Sequence, residues 1–465
     1  MKSKAVILFI SLFSVFSSVN GQTFKANIKY SKLTATYNFI QKLSDYYPDN
    51  EYKQIFKNSS YNTPHYLRLI AQLDTLSLQE SLPFQGYPYG QKQPFQTISL
   101  IEKNLINSNT IDHFISQTFG IIPNDQFFAF TNILSNFVPV YQELIYLPNK
   151  TDFDNKVKEL ALFVETVDLH QYFETGLRFY GTEWDSLVPI DIAIIPTLGE
   201  GGFTATAFLN NAISEVPLNF KHNDILFCVL MHEIFHLLYD GQSLKLKQEI
   251  ERWFTQNPSV NSQYAYLLLD EALATALGNG FVFEGFTNET DKEDWYNVKY
   301  INLMAQKIYP LVKDYINNKK TIDQYFIDKY IAAYDNHFSD WTNELDHILT
   351  YRYILSENRN DFKYFRQKYR YASKSVYHTE INKTNLESLK QSPITKVVIL
   401  SENSGEKLEL VKNTFPELRE WSYNAEDEFI YTSTLTDKTK LIIVNNPNDN
   451  FEKIFGETYN NKQIR

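Results

Sequence analysis

The sequence predicts a mostly helical α+β protein: a helical N-terminal region over 22–180, a central segment over 181–390 with a small sheet and buried helices, and a small α/β unit over 391–465. Three observations predict it. Apolar residues recur at three-and-four spacing through most of the chain, as in "YNFIQKL" and "NKVKELALFVETV". The stretch from Val188 to Leu218 instead alternates, is β-branched, and breaks at Gly199, Gly201 and Gly202, which reads as two or three short strands. Near Ser392 the texture changes again, where "ITKVVIL" and "KLIIVNN" read as buried strands around a helical "EKLELVKNTFPEL".

The chain opens with Lys2 and Lys4, then an apolar stretch from Ala5 to Phe16, then small and polar residues. That is the order of a secretory signal peptide, expected over 1–21 and cleaved before Gln22. The apolar stretch is too short to span a bilayer, and no later segment approaches one that could. Export to a periplasm or the extracellular space is therefore expected. The only cysteine, Cys228, excludes an internal disulfide and leaves no cysteine after the leader for a lipid anchor.

Charge narrows the partners. There are 44 basic against 55 acidic side chains, a formal net charge of −11, and loss of the leader would remove two lysines and no acid. Nucleic acids and anionic membranes both select basic surfaces, so neither is expected as a partner. Aromatic residues make up 15% of the chain, which suits either a Phe- and Tyr-rich core or, less economically, a stacking surface for glycans.

The N-terminal helical pattern runs to about Tyr180, broken at "QGYPYGQKQP" and "GIIPND". After the predicted strands, a helix is expected from Asp224 to Tyr239, with Asn223 as its N-cap and Gly241 as its stop. Helical patterns return in "LKLKQEIERWF", in "YLLLDEALATALG", and in several segments from Asp294 to about Tyr371.

Chemistry concentrates in "VLMHEIFHLLYD", residues 229 to 240. Residues four apart lie above one another on a helix, so His232 and His236 can bind one metal ion. Glu233 is rotated about 100 degrees from His232, near enough to act on a water at that metal without being a ligand. In a chain with nine histidines, H-E-x-x-H is expected by chance roughly 0.01 times. Its flanks, Val229, Leu230, Ile234, Phe235, Leu237 and Leu238, are all uncharged. A helix apolar on every side is buried, and ionisable groups there are costly unless paired or bound to a metal.

Zinc needs a third protein ligand and an open position. Glu271, 35 residues after His236, is the favoured candidate: it is an acid in an apolar helix that Ala272, Ala274, Ala276 and Gly278 keep thin. Asp270 lies about 100 degrees away on that helix and suits a supporting position. Asp240, one turn beyond His236, suits an outer or capping role. Cys228 shares the histidine face but reads as a small buried apolar residue.

With these motifs the chain resembles the zincin superfamily of metallopeptidases, in its gluzincin branch, over about Ile190 to Gly278. The resemblance implies a zincin-like core with one zinc ion held by His232, His236 and Glu271. It implies Glu233 as general base for hydrolysis of peptide bonds by a zinc-activated water. It further implies that a sheet edge, with "GGFTATAF" the candidate, pairs with an extended peptide substrate.

Three departures stand out: a long interval to Glu271, Thr275 where an aspartate often stands, and no evident transition-state Tyr or His. Tyr309 and His337 are candidates for that last role. Glu200 in "LGEGG" lies where zinc aminopeptidases carry a glutamate for the substrate's free amine, though the longer motif is absent. The alternatives are a peptidase-like binding or scaffolding protein without turnover, and an exported glycan-binding protein.

Overall fold

The computed structural model describes residues 25–82, 84–88, 96–199, 203–401 and 404–459. The expected leader over 1–21, and Glu200, lie outside them. The chain is a mixed α/β structure, 58% helical, with two small mixed sheets. Among the described residues no helix is long and apolar enough to cross a membrane.

The first sheet contains β1 (Ala26–Lys29), β2 (Ile190–Thr197), β3 (Thr204–Phe208) and β4 (Asn211–Pro217), in the order β1-β2-β4-β3. β1, β2 and β4 run parallel, and β3 turns back antiparallel on β4. Every residue of β2 is buried, as expected of a strand covered on both faces. The tight turn into β4 holds Leu209 at a φ of 56°. β3 is left as an edge, and that edge faces the site described below.

β1 falls in the segment expected to be mostly helical. Four residues are too few to show a period of two, and what recruits them is a partner 164 residues away: Ala26 pairs with Ile190, and the Asn27 side chain donates to Asp191 Oδ1 at 3.0 Å. Long-range pairing overrides local pattern here. The N-terminal helices that follow build their own apolar core, to which β2 contributes Ile195.

The histidine helix spans Asn223–Asp240, so Asn223 is its first residue rather than its cap, and Gly241 follows its end as expected. The predicted "YLLLDEALATALG" helix is broken into shorter pieces: Ser262–Leu267, Leu269–Thr275, a π-helical turn over Ala276–Val282, and Phe283–Thr287. Such π-turns occur frequently at functional sites.

The second sheet contains β5 (Tyr351–Ser356), β6 (Lys374–His378), β7 (Thr395–Leu400), β8 (Phe429–Thr434) and β9 (Lys440–Asn445), in the order β6-β5-β7-β9-β8. All pairs are parallel except β8 with β9. The sheet that holds β7 and β9 thus also takes in strands ahead of residue 391: β5 lies in a segment expected to be helical, and β6 just beyond it. Arg352 disguised β5. It is 2% exposed as the second residue of a largely buried strand, its guanidinium donating to Leu349 O, Tyr369 O and Tyr377 Oη. β6 is a half-buried edge with little apolar signal. One apolar core runs from Leu160 through the histidine helix into this sheet, so the two predicted units pack as one body of side chains.

Candidate metal centre

His232 and His236 sit one turn apart on their buried helix with their rings edge to face, each 4% exposed, and with their Nε2 atoms 3.1 Å apart. Glu271 arrives from the Leu269–Thr275 helix. Its Oε2 lies 3.7 Å from His232 Nε2 and 3.5 Å from His236 Nε2. Among the described residues these three form the one group of histidine, cysteine and acidic side chains whose donor atoms all come within 4.8 Å of one another. The sequence-predicted ligand set is therefore brought together in space.

Small residues make the approach feasible. Ala272, Ala274 and Ala276 are completely buried, and a Cβ added to Gly278 would lie 2.7 Å from His232 Cβ and 2.8 Å from Cys228 O. Only a residue without a side chain fits against the histidine helix at that crossing. Cys228 contributes its backbone to this contact. Its thiol is buried, with its pKa pushed up chiefly by burial, and it is not part of the donor group.

Asp270 supports the group from outside. Its Oδ1 accepts from His236 Nδ1 at 2.8 Å, which places the proton on Nδ1 and turns the Nε2 lone pair toward Glu271. Asp240 is outside the donor group, and its charge acts on Lys247 instead.

The electrostatics of the cluster call for a cation. Burial pushes the Glu271 carboxyl pKa up, yet His236 and His232 overcome this and hold it well below the ordinary carboxylate range. Burial works to lower the His236 pKa, while the carboxylates of Asp270 and Glu271 raise it well above the ordinary value. Even so, Glu271 Oε2 is buried with no hydrogen-bond partner, because distances of 3.5 Å and more are too long for one. A cation at the focus of the three groups would satisfy that oxygen and both lone pairs, in competition with protons. Two imidazoles and a carboxylate suit a transition metal such as zinc better than Ca²⁺ or Mg²⁺, which prefer oxygen ligands.

Glu233 turns the other way. Its Oε2 accepts the backbone N–H of Ala207, in β3, at 3.0 Å, so the carboxylate is held between the histidine helix and the sheet edge. Tyr296 stacks on the His232 ring, with centroids 5.7 Å apart and planes 23° apart. Its phenol pKa is raised by burial first, then by the charge of Glu271, the neighbouring Tyr371 and the charge of Glu233. Tyr371, hydrogen-bonded to Tyr296, is raised by burial and then by Glu271. Both phenols therefore remain proton donors at neutral pH. They line the same cleft as Glu271, and nothing in the sequence distinguished them among 32 tyrosines.

The two sequence candidates for the transition-state role, Tyr309 and His337, lie elsewhere. Tyr309 donates to Glu284 and packs against Trp295, while His337 is exposed at the end of its helix; neither reaches the donor group. A cleft of about 580 Å³ opens over the site, lined by His236, Glu271, Tyr296, Tyr371, Lys374 of β6, and Gln79 from the N-terminal region. No protein-family model, curated protein or solved structure matches this chain.

Proposed function

We propose that this chain is an exported zinc-dependent peptidase with a gluzincin-like site and a zincin-like core around it. The observation that carries the reading is the convergence of His232, His236 and Glu271 on one point, beside a glutamate that the sheet edge holds in place. The donor set and the unsatisfied Glu271 oxygen support a metal. The position of Glu233 supports hydrolysis, since among the described residues it makes no ion pair and the N–H of Ala207 orients it.

Bound at this site, zinc would supply Lewis acidity, acidifying a water and polarising a carbonyl. The remaining roles belong to side chains. Glu233 takes the proton of the attacking water and returns it to the leaving amine. Asp270 keeps His236 in the tautomer that offers Nε2. The phenols of Tyr296 and Tyr371 are placed to donate to negative charge growing on the carbonyl oxygen. β3 is an edge strand, and an extended peptide could pair with its main-chain groups where Glu233 does not already take the N–H of Ala207.

The test is metal content and cleavage together, on residues 22–465. About one zinc per chain is expected, lost in His236→Ala, with cleavage of unstructured peptides lost and zinc retained in Glu233→Gln. A folded parent that carries no metal and cleaves nothing would overturn the reading.

A further inference from the structure

A second cavity, of about 390 Å³, lies in the N-terminal helical region and shares Gln79 with the catalytic cleft. Its volume is within the range of small-ligand pockets, roughly 300–1,000 Å³. Tyr37, Tyr46 and Tyr47 form one side, and Asp74 and Glu102 supply two carboxylates. Among the described residues no lysine or arginine lines it.

Glu102 is the unusual group. It extends from the helix Thr97–Asn107 and makes no ion pair among the described residues. It lines the same cavity as Tyr37, whose phenol pKa is raised by burial and then by the Glu102 charge. Burial alone raises its carboxyl pKa to about 7. The lysines adjacent to these residues in sequence turn elsewhere, Lys42 to Glu215 and Lys103 to Asn210 Oδ1. Asp74 already accepts from Ser44 Oγ at 2.8 Å, so it is held in place on the wall. A half-buried carboxylate without a counter-ion is costly, and a cation entering the cavity would relieve it. The tyrosines add faces that attract a cation.

We propose that this cavity is a subsite for a primary ammonium or guanidinium group. On the peptidase reading, it holds a basic side chain of the substrate at a distance from the bond being cut. Gln79, on the wall of both cavities, marks where the peptide would pass from one to the other.

The test uses the full mature chain carrying Glu233→Gln, so that ligands are not consumed. Agmatine, and two peptides identical except for arginine or citrulline at one position, are titrated by calorimetry with and without Glu102→Gln. Agmatine and the arginine peptide should bind Glu102→Gln about tenfold or more weakly, the loss expected for one charge-assisted hydrogen bond, while the citrulline peptide is unaffected. Tyr47→Leu, at a half-exposed position, should weaken agmatine as well without threatening the fold. Agmatine binding that depends on Glu102, without discrimination between the peptides, would retain the cation site and overturn its role in substrate binding. Equal affinities with and without Glu102→Gln, in protein shown to be folded, would overturn the proposal. Zinc content and wild-type cleavage, measured in parallel, report separately on the peptidase reading, since agmatine binding requires neither.

Discussion

Replacing Gly278 with alanine should damage the candidate metal centre without replacing any of its three side chains. The new Cβ would sit 2.7 Å from His232 Cβ, 2.8 Å from Cys228 O and 2.9 Å from His232 Cα. Carbon atoms pack at about 3.5–4.0 Å, so the two helices must separate by roughly 1 Å. None of the obstructing atoms can swing aside, since two belong to the backbone and the third is a Cβ. Overpacking of this kind costs about 1–3 kcal/mol. Alanine's advantage over glycine in a helix, roughly 0.5–1 kcal/mol, offsets only part of that. The larger effect is on geometry: His232 moves away from Glu271, whereas functional constellations tolerate displacements of only about 0.5 Å. Zinc affinity, measured by competition with a chromophoric chelator, should fall about tenfold or more. Gly456→Ala is the control. It lies in the helix Phe451–Thr458 with nothing within 4 Å of its added Cβ, and should be neutral or slightly stabilising. A Gly278→Ala protein that keeps its zinc affinity within twofold and melts like the parent would refute the argument that this crossing sets the ligand geometry.

Asp270→Ala should weaken zinc about 10- to 100-fold by freeing the His236 ring, with near-normal circular dichroism; unchanged affinity would show that the 2.8 Å contact does not matter to the metal. Tyr371→Phe should lower kcat about 10²- to 10³-fold with little change in KM or zinc content, and a pure KM effect would move that phenol from transition-state to substrate contact. Glu102 predicts a pH effect on stability. Its folded pKa, raised by burial from 4.5 to about 7, means the native state holds the proton longer than the unfolded chain does. Stability from this group therefore falls as pH rises from about 4.5 to 7, by up to roughly 3 kcal/mol, and is level on either side. Denaturation of Glu102→Gln should accordingly show a gain over the parent at pH 8 that vanishes at pH 4; equal gains at both would refute it.

How much of the site was legible depended on whether its members shared one helix. His232, Glu233 and His236 are set by helical geometry alone, so spacing exposed them. Glu271 was legible for a different reason: an acid in an apolar, small-residue helix has few explanations other than a buried partner. Tyr296 and Tyr371 were illegible, because phenols are common in this core and only the fold lays Tyr296 on His232 and Tyr371 beside Tyr296. Tyr309 illustrates the converse, a tyrosine with a suggestive setting that the fold employs in a contact with Glu284.

The same division holds for the fold. Sequence by itself determined the elements whose burial pattern repeats along their own length: the buried histidine helix, the strands of 190–217, and the apolar β7 and β9. Tertiary structure alone decided β1, β5 and β6, which are strands because distant partners pair with them. A four-residue segment, a strand with a buried arginine and a polar edge carry too little periodic signal to announce themselves. Local periodicity records which face of an element is covered, whereas pairing depends on what covers it, and that is a property of the whole chain.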